Sequence, residues 1–536
     1  MTVDAGLRAQ AEQWLAEDPD PHTRAELREL LDTGAVAELT DRFAGRLTFG
    51  TAGLRGALGA GPNRMNRAVV RQAAAGLAAF LRSTERAHRP VVIGYDARHG
   101  STDFAHDSAA VLAGAGLQPL LLPRPLPTPV LAFAVRHLDA AAGVMVTASH
   151  NPPADNGYKV YLGGPDGGAQ IVPPSDIRIE AAITAVGPLS DLPLSDTYTV
   201  LDDSVVEAYL TAVTALPRTA HRQVRIAYTP MHGVGGDLML TALRRAGFDT
   251  PEVVAEQFAP DPDFPTVAFP NPEEPGAMDL ALALAARTDA DLVIANDPDA
   301  DRCAVACGGR VLRGDEVGVL LADAMLRDGV PGTFATTVVS SSLLKAMCQA
   351  HGAPYAETLT GFKWIVRAAE DLAFGYEEAL GYAVAPNLVR DKDGISAALL
   401  VAELAATLRA QGRTLLDRLD ELAREHGVYA TDQMSVRVND LTLITEAMAR
   451  LRTDPPGALL DRPVTSVRDR LPQADVLTFR ADGCRVVVRP SGTEPKLKAY
   501  LEVVVPVTGP DVAAARSTAA TRLATLRTQI SAALGL

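Results

Sequence analysis

The sequence predicts an α/β protein with three or four domains. At 536 residues the chain is longer than one hydrophobic core normally serves. Apolar runs of strand length alternate with amphipathic helical segments, and this alternation restarts three times along the chain. From about Ala430 apolar and polar residues alternate instead, which indicates a last domain of different, α+β build.

The first region opens with helical spacing of apolar residues over 9–39. A glycine-rich loop at 49–56 then leads into an alanine-rich helix predicted over 68–82. Apolar runs at Val91–Tyr95 and Ala142–Val146 follow, and both have the length of buried strands.

The later regions repeat this plan. The second restart begins with a strand at 224–228 and reaches another at 291–296, and the third begins at 336–339. The last region carries a strand at 484–488. Because ligands gather at the carboxyl ends of strands in open α/β sheets, the polar loops after these strands are the candidate sites.

Composition excludes several classes of protein. A net charge of −15 argues against nucleic acid as a partner, since phosphates would demand a basic face. No apolar run approaches the roughly 20 residues that span a bilayer, and the N-terminus lacks the pattern of a secretory signal. The four cysteines form no CxxC pair. We therefore expect a cytoplasmic protein with no membrane or nucleic-acid partner.

Three aspartates, Asp297, Asp299 and Asp301, follow the buried run at 292–294. Their alternation predicts that in an extended loop the side chains face one way. Such charges repel unless a cation lies between them, and hard oxygen ligands suit Mg²⁺. An EF-hand is excluded because Arg302 stands where its glycine is required. The alternative is a solvated acidic turn, which the buried strand before it disfavours.

Ser149 lies just after the strand predicted at Ala142–Val146, beside His150 and an Asn-Pro turn signal. A serine exposed at a strand end is a candidate nucleophile, although loop serines often only cap a turn. The G-x-S-x-G elbow of serine hydrolases is absent, since Ala148 and His150 flank the serine. We interpret His150 as a residue that orients the serine rather than as a base.

Other polar loops have weaker signals. The segment 489–496 combines a guanidinium, two hydroxyls and a glycine, which is typical of an anion cradle but also of an ordinary turn. Glu377 and Glu378 lie in a glycine-bounded loop and are suited to binding sugar hydroxyls, or to capping a helix. Arg55 and Lys159 are candidate phosphate ligands or plain surface charges. No Walker A or G-x-G-x-x-G string supports a nucleotide site.

Taken in order, five segments of the chain resemble the α-D-phosphohexomutase superfamily, and within it the phosphoglucomutase-2-like branch. They are residues 49–56, 147–152, 296–302, 375–381 and 489–496. The resemblance implies four domains around a central cleft: three α/β domains of shared topology and a C-terminal TBP-like α+β domain. We place these domains at 1–203, 204–312, 313–428 and 429–536.

The resemblance also implies roles for individual residues. Ser149 would carry a phosphoryl group, and Asp297, Asp299 and Asp301 would hold Mg²⁺ together with an oxygen of phosphorylated Ser149. Arg55, His150 and Lys159 would act beside the transferred group, with Lys159 a candidate general acid or base. The residues expected to bind substrate are Arg302, Thr360, Glu377, Lys392, Arg489, Ser491, Gly492 and Thr493. Ala379 stands where many members have serine, so the loop expected to bind the sugar has one hydroxyl donor fewer.

The activity that follows is interconversion of hexose 1-phosphate and hexose 6-phosphate, of glucose or also of mannose. It would proceed through phosphoserine and a bisphosphorylated sugar such as glucose 1,6-bisphosphate, in a monomer or homodimer that binds small sugar phosphates. The first alternative is a phosphopentomutase acting on ribose or deoxyribose phosphates. The others are a phosphoserine-dependent sugar phosphatase and a protein that binds sugar phosphates without turnover.

Overall fold

A computed structural model describes residues 3–50, 53–438, 440–491 and 496–535. It divides into two compact units. The first reaches to Leu312 and also includes Ala379–Gln411, and the second consists of Arg313–Glu378 and the chain from Gly412 onwards. The four domain boundaries given above stay predictions, since this division resolves two units.

The chain opens with three short helices where the sequence shows one helical segment. They are α1 (Ala5–Glu17), α2 (Pro21–Thr33) and α3 (Val36–Phe43). Asp4 and Asp20 begin the first two helices by accepting backbone N–H groups. Gly34, in the left-handed conformation at φ 66°, ends the second helix. The helices share a small apolar core that includes Ala11, Leu27 and Leu39.

A seven-stranded sheet follows in the first unit. Its elements are β1 (Leu54–Ala57), α4 (Arg67–Ser83), β2 (Val91–Tyr95), α5 (Ser101–Gly114), β3 (Pro119–Leu121), α6 (Thr128–His137), β4 (Ala142–Val146), β5 (Asp155–Leu162), β6 (Ala169–Gln170), α7 (Ser175–Thr184), β7 (Thr199–Val200) and α8 (Ser204–Thr214). The strand order is β1-β5-β4-β2-β3-β7, with β6 also paired to β5. Strands β4, β2, β3 and β7 run parallel, whereas β5 is antiparallel to both β4 and β1. Both predicted strands are found here with the predicted bounds.

A five-stranded sheet comes next in the same unit. Its elements are β8 (Ile226–Thr229), α9 (Gly236–Arg245), β9 (Glu252–Val253), α10 (Ala255–Phe258), α11 (Asp279–Thr288), β10 (Leu292–Ala295), β11 (Ala304–Cys307) and β12 (Arg310–Val311). The strand order is β12-β11-β10-β8-β9. The pattern of the first sheet recurs, because β8 lies between two parallel neighbours and β10 pairs with the antiparallel β11.

The second unit begins with a third α/β region. Its elements are α12 (Gly314–Arg327), β13 (Thr333–Thr337), α13 (Leu343–His351), β14 (Tyr355–Thr358), α14 (Phe362–Ile365) and β15 (Leu372–Glu377). Strand β13 lies between β14 and β15 and is parallel to both. The restart predicted at 336–339 is thus the end of a strand that begins three residues earlier. The chain then returns to the first unit with β16 (Gly381–Ala383) and α15 (Gly394–Ala410).

The remainder of the second unit is an antiparallel sheet of six strands with helices. Its elements are α16 (Leu415–His426), β17 (Val428–Arg437), α17 (Leu441–Thr453), β18 (Ala458–Leu459), β19 (Arg462–Asp469), β20 (Leu477–Ala481), β21 (Cys484–Pro490), β22 (Lys496–Val505) and α18 (Val512–Leu534). The strand order is β17-β22-β21-β20-β19-β18. This different build is the one predicted beyond Ala430. No helix among the residues described here is long and apolar enough to cross a membrane.

Candidate active site

The Ser149 loop begins where β4 ends, at the carboxyl edge of the first parallel sheet. Ser149 is buried and has a φ of 52°, in the left-handed region that non-glycine residues seldom adopt. Its backbone N–H donates to the Thr147 hydroxyl (2.9 Å). Its own hydroxyl donates to Asp297 Oδ2 (2.8 Å), a residue 148 positions later in the chain. The structure therefore brings the predicted serine and the predicted acidic loop into direct contact.

The three aspartates follow β10 in a tight turn, and the extended loop predicted from their alternation is wrong. Ala300 has a φ of 53°, and its N–H donates to the carbonyl of Asp297 (2.8 Å). The turn, rather than strand-like alternation, makes the side chains converge. Oxygens of Asp297, Asp299 and Asp301 lie within 4.8 Å of one another, and all three residues are fully buried.

Two lysines face the aspartates. Lys159 comes from β5, and its Nζ donates to Asp299 Oδ2 (2.7 Å) and to Asp301 Oδ2 (3.0 Å). Lys392 comes from the loop before α15, and its Nζ lies 3.3 Å from Asp301 Oδ2. Both lysines are buried. The site therefore concentrates opposite charges in a region with little solvent to screen them.

This arrangement of charges shifts the pKa values of the three aspartates in different directions. Burial, together with the charges of Asp299 and Asp301, raises the pKa of Asp297 well above its ordinary value. Burial also opposes ionisation of Asp299, but Lys159 overcomes it and lowers the pKa of that acid. Burial and the charge of Asp299 oppose ionisation of Asp301, and Lys159, Lys392 and Arg302 together reverse this and lower its pKa. Burial lowers the pKa of Lys159 in isolation, and the two carboxylates more than reverse this, so that lysine is held as a cation.

His150 and two arginines complete this part of the site. His150 Nδ1 lies 3.2 Å from the Ser149 hydroxyl. Burial, and then the positive charges of Arg302 and Arg55, lower the pKa of His150 well below its ordinary value, so the imidazole is neutral at pH 7. Arg55, on the edge strand β1, donates to Asn151 Oδ1 (3.2 Å) in the serine loop. The backbone N–H of Arg302 donates to Asp297 Oδ1 (3.0 Å).

Two glycines let neighbouring backbone approach the acidic turn. An ideal Cβ on Gly233 would lie 2.3 Å from Pro298 Cα, and one on Gly394 would lie 2.2 Å from the Arg302 carbonyl oxygen. Gly394 is also the first residue of α15, and Asp393 begins that helix by accepting from Ile395 N (3.0 Å). Asp393, in the loop that carries Lys392, therefore caps α15.

Thr128, which supports the acidic turn from α6, lies in no motif that would single it out in the sequence. Its hydroxyl donates to Asp299 Oδ2 (2.7 Å), and its N–H donates to the Asp299 carbonyl (3.0 Å). Tyr161 was also missed. It lies two residues beyond Lys159 on β5, and its hydroxyl donates to Asp391 Oδ2 (2.7 Å), next to Lys392. Neither threonine nor tyrosine belongs to a recognisable motif, because each acts on residues more than 150 positions away.

The remaining predicted residues lie in the second unit. Glu377 is the last residue of β15 rather than part of a loop, and Thr360 follows β14. Glu378 accepts from the Ser340 hydroxyl (2.8 Å). Arg489 lies near the end of β21, and Ser491 N–H donates to the Lys496 carbonyl (2.8 Å). Gly492 and Thr493 lie outside the described residues.

The second unit also contains a buried acid that no prediction named. Asp315, near the start of α12, accepts from Ser341 N–H (2.7 Å) and from the Tyr376 hydroxyl (3.1 Å). Burial raises its pKa to about 7, with smaller contributions from Glu378 and Glu502. This carboxyl group is therefore close to half-protonated at neutral pH.

Comparison with known proteins matches this architecture along the chain. Four sequence models of the phosphoglucomutase/phosphomannomutase family match: alpha/beta/alpha domain I over 46–188, domain II over 207–310, domain III over 313–426 and the C-terminal domain over 434–515. A "Probable phosphomannomutase" of Haemophilus influenzae is 48% identical, covering 82% of this chain and 93% of its own length. The human "Phosphopentomutase" is 36% identical, covering 94% of this chain and 92% of its own.

The fold is also found among solved structures. A phosphoglucomutase/phosphomannomutase family protein of Burkholderia thailandensis superimposes with a TM-score of 0.71 at 19% identity, covering 90% of this chain and 95% of that one. The five segments named above predict this family, a four-domain α/β fold and a phosphosugar mutase. The matches confirm all three predictions. The chain belongs to the phosphoglucomutase/phosphomannomutase family.

Proposed function

We propose that this enzyme interconverts the 1- and 6-phosphates of glucose, and also of mannose, with Ser149 as the phosphoryl carrier and Mg²⁺ as cofactor. The observation that carries the proposal is the 2.8 Å hydrogen bond from the Ser149 hydroxyl to Asp297, at the edge of a cluster of three buried carboxylates. A serine placed against a cation-binding cluster is suited to accepting and returning a phosphoryl group.

The residues present fit a magnesium ion. Asp299 Oδ1 and Asp301 Oδ1 are buried and make no hydrogen bond to any described residue, so each keeps an oxygen for a cation. Asp297, Asp299 and Asp301, with an oxygen of phosphorylated Ser149, would hold the ion. When bound, Mg²⁺ neutralises charge on the phosphoryl oxygens and makes the phosphorus a better electrophile.

Transfer starts from a sugar bisphosphate such as glucose 1,6-bisphosphate, which would load the serine. The Ser149 oxygen forms a bond to phosphorus, the bond from phosphorus to the sugar oxygen breaks, and the hydroxyl proton passes to a neighbouring acceptor. Asp297, which already accepts the hydrogen bond of this hydroxyl (2.8 Å), is the acceptor, and neutral His150, 3.2 Å from the hydroxyl, orients it. Lys159, held as a cation by its two aspartates, is suited to returning a proton to the sugar oxygen.

Cations of this chain balance the negative charge of the phosphoryl group during transfer. Lys159 and Lys392 approach Asp301 from two different elements, and the charges of Arg55 and Arg302 are close enough to act on His150. Fixed cations of this kind, of which the two lysines are buried and the two arginines half-buried, stabilise a transition state without reorganising during the reaction. We assign these four residues to the phosphate being transferred.

A mutase also needs a second anion site, which holds the phosphate that is not being transferred. We assign this role to Arg489, near the end of β21, and to Ser491, Gly492 and Thr493, which follow it in the sequence, because a guanidinium and hydroxyls beside a glycine suit phosphate. Glu377 and Thr360 are assigned to the sugar hydroxyls. After the first transfer the bisphosphate would turn end over end, so that each phosphate visits both sites.

The sugar preference is the least constrained part of the proposal. The relative with 48% identity is named for mannose phosphate, whereas the human phosphopentomutase covers more of the chain at 36%. The similarity to the human phosphopentomutase over 94% of this chain keeps pentose phosphates as a second candidate, because Glu377 and Ala379 do not separate hexose from pentose substrates. The ratio of kcat/KM for glucose 1-phosphate and ribose 1-phosphate decides between them.

The test is replacement of the carrier. Ser149→Ala should abolish conversion of glucose 1-phosphate to glucose 6-phosphate, whereas Ser204→Ala, an exposed serine at the start of α8, should leave it unchanged. Full activity of Ser149→Ala would refute the proposal. Steady release of inorganic phosphate without isomer would favour the phosphatase, and binding without any turnover would favour the non-enzymatic alternative.

A further inference from the structure

Arg98 is a buried arginine that lies three residues beyond β2, and its guanidinium contacts the loop that carries Ser149. Its exposed fraction is only 4%. Its two terminal nitrogens donate to four backbone carbonyls in one short stretch of chain. The acceptors are Ser149 O (2.6 Å), Asn151 O (2.6 Å), Pro152 O (2.8 Å) and Asp155 O (3.2 Å).

The guanidinium is itself fixed from other sides. It lies over the ring of Phe264, 4.8 Å from the ring centroid. Its Nε is 3.5 Å from Asp96 Oδ2, and the backbone N–H of Arg98 donates to Asp96 Oδ1 (3.0 Å). Asp96 also accepts from the Ser101 hydroxyl (2.7 Å). Arg98 is therefore a rigid support, with little freedom to follow a loop that moves.

The contact with the carbonyl of Ser149 matters most, because the backbone there is strained. A left-handed conformation costs a non-glycine residue roughly 1–2 kcal/mol. Ser149 has a φ of 52°, its N–H is held by Thr147 Oγ1, and its carbonyl is held by Arg98. With both neighbouring peptide groups fixed, the direction of the Cα–Cβ bond is set, and the rotamer observed places the hydroxyl 2.8 Å from Asp297 Oδ2.

We propose that Arg98 is a positioning residue for Ser149: by binding four loop carbonyls it holds the serine oxygen in line for phosphoryl transfer. This inference rests on the proposed function, in which that oxygen carries the phosphoryl group. A planar guanidinium has five donors in a fixed fork, and a lysine has a single nitrogen that cannot reach four separate carbonyls. Charge alone is therefore insufficient at this position.

The first arm of the test is kinetic. Arg98→Lys should lower kcat about 100-fold, the usual effect of misplacing a reacting group by about 1 Å, with KM for glucose 1-phosphate changed less than about threefold. Arg98→Ala should be still less active and should regain at least about tenfold with added guanidinium ion. The matched control is Arg418→Lys, since Arg418 is 6% exposed and pairs with Asp323 and Glu421 in the second unit.

The second arm does not depend on turnover. In Arg98→Lys, amide hydrogen exchange in peptides covering 147–157 should rise at least about tenfold, while β8 exchanges as in the unchanged protein. Unchanged hydrogen exchange in Arg98→Lys would overturn the inference, and so would a loss of kcat in that variant no larger than in Arg418→Lys. A loss of kcat in Arg98→Ala that added guanidinium does not relieve would overturn it as well. If the unchanged protein fails to convert any sugar phosphate, the proposed function fails, and the exchange result alone decides whether Arg98 anchors the loop.

Discussion

Replacement of Gly394 by alanine isolates the geometry of the acidic turn. Gly394 is the first residue of α15, directly after its capping residue Asp393. An added Cβ would lie 2.2 Å from the Arg302 carbonyl oxygen and 2.7 Å from Asn296 Nδ2, whereas ordinary contact begins at 3.4 Å. The Arg302 backbone must therefore retreat by about 1.2 Å.

That displacement falls directly on the predicted metal ligands. Arg302 follows Asp301, and its N–H donates to Asp297 Oδ1 (3.0 Å). A shift of about 1 Å in a reacting group typically costs about 100-fold in rate. We expect kcat of Gly394→Ala for glucose 1-phosphate to fall by about that factor, and the Mg²⁺ concentration for half-maximal activity to rise, since metal affinity depends on ligand geometry.

The assay is a coupled measurement of glucose 6-phosphate formation over a series of Mg²⁺ concentrations. Gly187→Ala is the matched control, because an added Cβ there meets nothing within 4 Å. A folded Gly394→Ala variant with kcat and Mg²⁺ dependence within about twofold of the unchanged enzyme would refute the reasoning, since the acidic turn would then tolerate the shift.

Three further predictions concern buried charges. Lys159→Met leaves buried Asp299 without its lysine and Asp301 with Lys392 alone, and should cost about 3–5 kcal/mol of stability in EDTA. Mg²⁺ should raise the thermal midpoint of this variant more than that of the unchanged protein, and equal shifts would contradict the prediction. Thr128→Val removes a 2.7 Å hydrogen bond to Asp299 and should cost about 1–3 kcal/mol in urea unfolding, so an unchanged midpoint would argue against that support. Because the pKa of Asp315 is raised from 3.8 to about 7, the folded state binds the extra proton, and stability should fall as pH rises from about 4 to 7. Asp315→Asn should lose part of that pH dependence in a series of thermal melts, and an identical pH profile would contradict the assignment.

The sequence predicts the positions of the reactive loops because the ends of the preceding strands can be located from the local pattern of apolar residues. Strands β4 and β10 occupy the same place in their respective sheets, and the loops after them carry Ser149 and the aspartates. Burial on both faces makes such strands continuous apolar runs, so their ends are visible without a structure. The different architecture of the last region is also predicted by the sequence, because apolar and polar residues alternate along its strands.

What the sequence does not predict are contacts between distant segments and the shape of turns. The pairing of Lys159 with Asp299 spans 140 residues, and nothing near either residue indicates it. The convergence of the aspartates depends on the left-handed Ala300, a conformation that alanine rarely adopts and that no propensity suggests. Thr128 donates to one carboxylate oxygen and one backbone carbonyl, and Arg98 donates to backbone carbonyls. Contacts of this kind require no recognisable sequence motif.

The most direct test of the account is to locate the phosphoryl group after the purified enzyme is incubated with glucose 1,6-bisphosphate and Mg²⁺. Peptide mapping by mass spectrometry should place one phosphoryl group on Ser149, and added glucose 1-phosphate should remove it as bisphosphate forms. A phosphoryl group found on another residue, or none on a preparation that turns over, would contradict the central claim that this hydroxyl carries the group between substrates.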